Sequence, residues 1–247
     1  GSLLGETFAA DLFSVSTNNF QNAVNGTFTV TNVSGGLALL YTTAFDPDAP
    51  YVWDAGSGDW STDSDWVANL SPTNDALLNF TGATGTATND NQVTSVGGVV
   101  FSNSTGSLTL DGDAFSVAGG GIENKSTNAH TINNNLSVAA DMSITASSNA
   151  LTIAGNITNA AAARQLTIDG SENTAVSGVI SGAGLLVKDG AGTVTLSGAN
   201  TYSGGTEVVA GALVGDTTSL QGAITNNATL NFAQSNNGTF DISQISN

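Results

Sequence analysis

A five-residue pattern, apolar–Thr–apolar–x–Gly, recurs between residues 108 and 198 and restricts the folds that this sequence can adopt. It reads Leu-Thr-Leu-Asp-Gly at 108–112, Leu-Thr-Ile-Ala-Gly at 151–155, Leu-Thr-Ile-Asp-Gly at 166–170 and Val-Thr-Leu-Ser-Gly at 194–198. In an extended strand, the two apolar side chains share one face and the threonine lies on the other. The glycine then allows the chain to turn. The span from the first copy to the last divides into four steps of about 21.5 residues, a period that is typical of one coil of a β-solenoid.

The composition favours an all-β chain. Only 9% of the 247 residues are charged, against about 25% in a typical globular chain, and 30 residues are glycine. Threonine favours strands, whereas glycine and asparagine favour turns. No stretch of about 11 or more residues carries uninterrupted apolar positions at helical spacing. We therefore predict many short strands joined by many turns.

The charge balance excludes several classes of partner. Lys125, Arg164 and Lys188 are the basic residues, against 20 acidic ones, and the net charge is −17. Binding to nucleic acid requires clustered basic residues, so we expect no nucleic-acid partner. Anionic membrane surfaces are disfavoured for the same reason, and no apolar run is long enough to span a bilayer, so we expect no membrane insertion. The chain has no cysteine. It also begins without the basic and apolar regions of a signal peptide, which favours a mature piece of a larger protein.

A more specific signature covers residues 182–213. Its characteristic positions are Lys188, Gly190, Gly192, Thr195, Leu196, Gly198, Asn200, Tyr202, Gly204, Gly205, Thr206, Gly211 and Leu213. This segment closely resembles the autotransporter-associated β-strand repeat. Residues 53–80, with Trp53, Trp60 and Trp66, are similar to the opening segment that often precedes such repeats. The resemblance implies a right-handed parallel β-helix in an exported bacterial passenger protein, with adhesive, matrix or surface-coat roles. It does not imply an enzyme.

The expected fold is all-β, a right-handed parallel β-helix or solenoid with a short N-terminal β segment. We predict three regions. Residues 1–50 form the N-terminal β segment, residues 51–90 form the opening segment with its tryptophans, and residues 91–247 form the solenoid repeats. At about 21.5 residues per coil, the repeats make roughly seven coils.

Two pairs of carboxylates can be compared with the sites of polysaccharide-active enzymes, some of which are also parallel β-helices. Glycosidases use two carboxyl groups roughly 5 to 9.5 Å apart, one with a raised pKa. Asp111 and Asp113 flank one glycine, and Asp63 and Asp65 lie near two tryptophans that could act as sugar platforms. The alternative is that Trp53, Trp60 and Trp66 form a hydrophobic cap on the solenoid. We favour the cap and expect no catalytic residues.

Metal and cofactor sites are also not expected. His130 is the single histidine, and an imidazole-based metal site needs more than one, so we predict a turn-lining or stacked polar role for it. Calcium-binding loop motifs are missing. An adventitious calcium site remains an alternative, near Asp111 and Asp113 or among Asp46, Asp48 and Asp54.

Asparagines are candidates for a structural ladder. Amides aligned on successive coils lie about 4.8 Å apart and can bond to one another. Asn133, Asn134, Asn135, Asn156, Asn226 and Asn227 are the candidates.

These observations predict an extracellular or bacterial cell-surface module that is structural and not an enzyme. It would associate end to end with itself, as a filament subunit or as tandem modules of a giant surface protein. The N-terminal strands within residues 1–45 of one chain would pair with the terminal coils, residues 228–240, of its neighbour. Alternatively, residues 1–45 cap their own chain. Two other functions stay open: an adhesin passenger that binds glycans or a cell surface, and, more remotely, a polysaccharide-active β-helix enzyme.

Overall fold

The chain divides into two compact units, Gly1–Pro47 and Asp48–Asn247. A computed structural model describes residues 26–33, 36–43, 51–67, 69–235 and 237–247, the first two ranges as backbone only. These residues are almost entirely strand and turn. Their two helices are single 3₁₀ turns, Asp63–Asp65 and Ile242–Gln244. The predicted all-β class is confirmed. Among the described residues, no helix is long and apolar enough to cross a membrane.

The described part of the first unit is an antiparallel hairpin of β1 (Gly26–Val33) and β2 (Gly36–Thr43). Its register pairs Phe28 with Tyr41 and Val30 with Leu39. Alternation along a strand places these four positions on one face of the hairpin.

The second unit is a parallel β-solenoid of about eight turns, built from three ladders of stacked strands that we call A, B and C. Ladder A consists of β3 (Tyr51–Trp53), β5 (Ala76–Phe80), β7 (Ser95–Phe101), β10 (Ile122–Asn124), β13 (Met142–Ala146), β16 (Gln165–Gly170), β19 (Leu185–Lys188), β22 (Thr206–Val208), β24 (Ile224–Asn226) and β26 (Ile245–Ser246). Ladder B consists of β4 (Gly58–Asp59), β6 (Gly85–Asn89), β8 (Leu108–Gly112), β11 (His130–Ile132), β14 (Leu151–Ile153), β17 (Thr174–Val176), β20 (Thr193–Leu196), β23 (Ala212–Gly215) and β25 (Thr229–Phe232). Ladder C consists of β9 (Phe115–Val117), β12 (Leu136–Val138), β15 (Ile157–Thr158), β18 (Ile180–Gly182) and β21 (Thr201–Tyr202).

The coils from β7 to β21 visit the ladders in the order A, B, C, whereas the coils before and after them have no strand in ladder C. Ladders A and C form one continuous sheet through β7, whose start pairs with β9 and whose end pairs with β10. The coil length varies because the turns differ in length. The coil that runs from Thr109 to its partner Thr131 is longer than the coil that runs from Val194 to its partner Leu213. The period predicted from the sequence is therefore an average over unequal coils.

Three copies of the five-residue pattern occupy ladder B, where β8, β14 and β20 alternate with β11 and β17. This arrangement explains why those copies recur at every second coil. The copy at 166–170 belongs instead to β16 of ladder A. Its spacing from the neighbouring copies therefore reflects the path around one coil and not the coil period.

The core is a continuous interior filled by the inward apolar positions of all three ladders. Leu110, Ile132, Ile153, Val176 and Leu196 stack one above another inside ladder B, each at most 2% exposed. This stacking buries the apolar side chains and leaves threonine and serine outside, as the alternating pattern predicts.

Close stacking of the coils accounts for one column of glycines. A Cβ atom on Gly155 would lie 1.9 Å from the carbonyl oxygen of Asn134. On Gly178 it would lie 1.9 Å from the oxygen of Gly155, and on Gly198 it would lie 2.3 Å from that of Gly178. Any side chain in this column would force the coils apart.

The parallel ladders begin at Tyr51, where Tyr51–Trp53 pairs with β5. The opening segment that the sequence sets apart is thus made of solenoid coils, and β4 likewise pairs with β6.

Candidate functional site

The three tryptophans fill the interior of the first coils. Trp53 and Trp60 are fully buried and Trp66 is 2% exposed. The rings of Trp53 and Trp66 meet edge to face at 5.2 Å, and Trp60 packs 5.7 Å from Phe80. The indole N–H of Trp66 donates to the carbonyl oxygen of Trp60 at 3.0 Å. Buried rings cannot stack on a sugar, so this cluster is a hydrophobic plug and not a sugar platform.

The same segment closes the front edge of ladder A. Trp53 and Trp66 form an antiparallel bridge on the side of β3 that faces away from β5. The amide of Val67 donates to the carbonyl oxygen of Val52 at 2.9 Å. Because residues 65–67 occupy these backbone groups, β3 offers little free edge to another strand.

Asp63 and Asp65 lie at the surface on the first 3₁₀ turn. Asp63 accepts a hydrogen bond from the amide of Ser71 at 2.8 Å. Hydrogen bonds from Ser71 lower the pKa of Asp63. A glycosidase acid needs a raised pKa, so the shift at Asp63 runs against that role.

Asp111 lies near the end of β8, and Asp113 lies in the turn that follows it. Asp111 accepts from the amide of Gly112 at 2.8 Å, and the backbone carbonyls of both aspartates accept from the buried amide of Asn134 at 2.7 and 2.9 Å. These bonds hold a turn. Within the part of the chain that the structure describes, no group of three or more His, Cys, Asp or Glu side chains is placed to hold a metal ion. Of the other calcium candidates, Asp46 and Asp48 lie outside the described residues, and Asp54 is exposed.

His130 lies inside the solenoid, 2% exposed. Its ring stacks on Phe101, with centroids 4.2 Å apart and planes at 7°. Nδ1 accepts from the amide of Leu108 at 3.0 Å, and Nε2 lies 3.1 Å from the hydroxyl of Ser104. Burial lowers the pKa of His130 from 6.5 to about 4. The stacked polar arrangement predicted for His130 is confirmed.

The predicted asparagine ladder is present in part, with different bonding. The side-chain oxygen of Asn135 accepts from the backbone amide of Asn156, and that of Asn156 accepts from the amide of Val179, both at 2.9 Å. The links run from amide side chain to backbone and not between side chains, which corrects the predicted pattern. Asn226 bonds within its own turn, and Asn227 is exposed at the surface.

Sequence reasoning missed a set of buried asparagines that fasten the turns. Their members are Asn89, Asn124, Asn159 and Asn200. Asn124 shows this role most clearly. Its side-chain N–H₂ donates hydrogen bonds to the carbonyl oxygens of Asn128, Asn149 and Ala150 at 3.0 to 3.1 Å. Asn89 and Asn124 each end a strand at an inward position, and that register was the signal available in the sequence.

At the C-terminal end of the solenoid the last strands of ladders A and B both have open edges, whereas at the front the edge of β3 is covered and only β4 lacks a strand partner on its outer side among the described residues. Strand β25 pairs with β23 and β26 pairs with β24, and nothing in the described residues pairs with their far edges. Phe232 is 41% exposed and packs 5.0 Å from Phe240, and Ile242 is 79% exposed. We call this surface, formed by β25, Phe240, Ile242 and β26, the terminal coil. It combines free backbone edges with exposed apolar side chains, so it is the best candidate for an interaction surface.

Comparison with known protein families identifies a repeat in the later coils of the solenoid. Residues 186–214, which include β20–β22 and most of β19 and β23, match the family model of the passenger-associated-transport-repeat. The chain carries an autotransporter passenger repeat. No curated protein and no solved structure is significantly similar to the chain.

Inside the passenger repeat, Lys188 occupies an inward position between Ile168 and Val208. Its ammonium is buried and donates to the carbonyl oxygens of Asp189, Gly190 and Ala210, the last two at 2.8 and 3.1 Å. Burial lowers the pKa of Lys188, and Asp169 and Asp189 oppose that shift. All three N–H bonds of the ammonium are thus used: two hold its own turn, and the third, to Ala210, joins that turn to the next.

Tyr202 serves the passenger repeat in a similar way. Its hydroxyl lies 2.8 Å from that of Thr206 and accepts from the amide of Gln221 at 3.1 Å. Burial raises the pKa of Tyr202. The polar side chains of the passenger repeat therefore serve to join its coils.

Proposed function

We propose that this chain is a non-catalytic structural module of an exported passenger protein, acting outside the cell or at the bacterial surface. Copies join end to end, the N-terminal hairpin of one copy binding the terminal coil of the next. The passenger repeat supports the first part of the proposal. The open terminal coil supports the second, and it is the observation on which the function rests.

At the front, ladder A is covered at β3, whereas ladders A and B are both open at the terminal coil, and this difference gives the association a direction. The front edge of β3 is occupied by residues 65–67, whereas the far edges of β25 and β26 have no strand partner among the described residues. A free edge forms main-chain hydrogen bonds with an added strand, and neighbouring apolar side chains supply contact area. A contact between two different surfaces need not close into a ring, so it propagates into a fibre.

The N-terminal hairpin of β1 and β2 is suited to bind the terminal coil of a second copy. Phe28, Val30, Leu39 and Tyr41 share one face by register, and a two-stranded hairpin alone is marginally stable in water. Its backbone edges suit strand addition, and its apolar face matches the exposed Phe232 and Ile242 in character.

Charge also favours this pairing. Two copies with a net charge of −17 repel one another over most of their surfaces. The hairpin residues 26–43 contain no charged residue, and residues 224–247 contain one, Asp241. Association through these two segments therefore brings little like charge together.

The test compares the mass of four proteins by light scattering over a range of concentrations. They are the intact chain, a deletion of residues 1–45, a Phe232→Ser/Ile242→Ser variant, and the control Val209→Ser. Val209 is also 41% exposed but lies away from the terminal coil, in the turn after β22. We expect the intact chain and the control to grow in mass with concentration, and the deletion and the double variant to stay monomeric. An intact chain that is monomeric at high concentration, with no change on deletion, contradicts the proposal. It would support a hairpin that serves its own chain.

A further inference from the structure

A buried polar cluster interrupts the apolar interior midway along the solenoid. It consists of His130, Ser104 and Ser126, at most 5% exposed, with the ring of Phe101 stacked on the imidazole. The hydroxyls of Ser104 and Ser126 are 2.5 Å apart. No function assigned above uses this cluster.

The hydrogen bonds require a neutral imidazole with its proton on Nε2. Nδ1 accepts from the amide of Leu108 on the preceding coil, so it carries the lone pair. Nε2 then donates to the hydroxyl of Ser104 at 3.1 Å. A second proton would sit on Nδ1, facing the Leu108 N–H, and would replace a hydrogen bond by two opposed donors inside the protein.

The surroundings offer no anion that could stabilise the protonated ring. From ladder A the ring faces Phe101, from the adjoining turns Ser104 and Ser126, and within ladder B its neighbours are Leu108 and Leu151. The attraction of an aromatic face for a cation recovers only part of the cost of burying the charge.

The charged side chains on these segments lie elsewhere. Glu123 and Lys125 pair with each other at 3.0 Å in a solvent-exposed position. Asp111 bonds to the amide at its own turn. Among the described charged residues, none contributes to the pKa of His130, which burial lowers to about 4.

We propose that the His130 cluster is an acid-sensitive joint, at which protonation of the imidazole opens the coils around it while the front and rear coils stay folded. A solenoid is held by contacts between neighbouring coils, so failure at one coil divides the stack and need not unfold the rest. The front coils keep their tryptophan plug, and the rear coils keep the bonds of Lys188.

The direction of the pH effect follows from linkage. The pKa of His130 is lower in the folded chain than the ordinary value of 6.5, so the open form binds the proton more tightly. The stabilisation is complete above about pH 6.5 and is lost as the pH falls toward 4. Between pH 7 and pH 4.5 the equilibrium constant for opening should rise by about 50-fold.

The first experiment follows the imidazole resonances of the intact chain by nuclear magnetic resonance. Because the chain has one histidine, these signals need no assignment. We expect the folded-state signal to stay unprotonated down to about pH 4.5. Titration near pH 6.5 in the folded protein would overturn the proposal.

The second experiment measures hydrogen exchange at pH 7 and pH 4.5, corrected for intrinsic rates. The control is His130→Gln, which keeps an oxygen acceptor near the Leu108 amide but does not titrate. In the wild type, segments 104–132 should open on acidification, while 76–81, which pairs with the front coil, and 185–215 stay protected. The Gln variant should lack the local response. An equal acid response in the variant, or uniform loosening of all coils in the wild type, would contradict the joint. If the variant does not fold, the wild-type pattern and the titration decide.

Discussion

Lys188 and Ala210 lie on successive turns, and the ammonium of the lysine donates a 3.1 Å hydrogen bond to the carbonyl oxygen of the alanine. The same ammonium binds two carbonyls of its own turn, at Asp189 and Gly190. A charge that is buried in this way persists because each of its donors has an acceptor. The lysine thus acts as a cross-link between turns of the passenger repeat.

Replacing Lys188 with methionine should lower the free energy of unfolding by about 2–4 kcal/mol. The methionine fills a similar volume but leaves three half-buried carbonyl oxygens without their charged donor. Chemical denaturation should measure the loss. The control is Lys125→Met, since Lys125 is 55% exposed and its surface pair with Glu123 should contribute under about 1 kcal/mol. Equal stability of the two variants would show that the cost of burying the Lys188 ammonium cancels its bonds.

Leu196→Asp should strongly destabilise the solenoid, whereas Asp111→Asn should not. Leu196 is 2% exposed and stacks over Val176, so an aspartate there places a carboxylate in an apolar interior at a cost of several kcal/mol. An asparagine at 111 keeps an oxygen that can accept from the Gly112 amide. Thermal unfolding would compare them, and the reverse order of melting temperatures would contradict the inward placement of the five-residue pattern.

The sequence was sufficient to predict the all-β solenoid because strand alternation and coil spacing repeat many times. It placed Leu110 and Leu196 inside and the threonines between the apolar positions outside. The ladder to which residues 166–170 belong was harder to predict. The same residue pattern suits a strand of any ladder, and the turn lengths that decide the ladder vary from coil to coil. Only the register shows that it belongs to ladder A.

The polar interior could not be predicted from residue type. Lysine is almost never fully buried, so the surface is the default expectation for Lys188. Its burial depends on three carbonyls from two turns, which converge only after the coils stack. The role of His130 was easier to anticipate, because a single histidine excludes most metal chemistry.

Gly178→Ala should destabilise the chain by about 2 kcal/mol or more. A Cβ atom there would approach the oxygen of Gly155 to 1.9 Å, and neither backbone can move without shifting a coil. The control is Ser177→Ala at the adjacent exposed position, which should change the free energy of unfolding by under about 0.5 kcal/mol. Urea titration of both variants provides the comparison. A stable Gly178→Ala protein would mean that the coils stack less tightly than the structure shows.

Asn133 and Asn134 are neighbours in the sequence, but the side-chain amide of Asn134 is buried and that of Asn133 lies at the surface. Asn134 is fully buried, and its side chain donates to the carbonyl oxygens of Asp111 and Asp113 at 2.7 and 2.9 Å. Asn133 is exposed, and its contact with the Asp111 carboxylate is 3.5 Å long. Alternation along the chain turns one amide inward and the other outward.

Asn134→Ala should therefore cost about 2–3 kcal/mol, because it leaves two carbonyl oxygens of the preceding turn without a donor. Asn133→Ala should cost under about 0.5 kcal/mol. Denaturant unfolding of the two variants gives the difference in stability directly, because the same substitution is made at two adjacent positions. Hydrogen exchange should show the loss concentrated at residues 108–113 in the Asn134 variant. Equal costs would mean that the inward bonds of Asn134 stabilise the coil no more than the surface amide of Asn133 does, which would contradict this prediction.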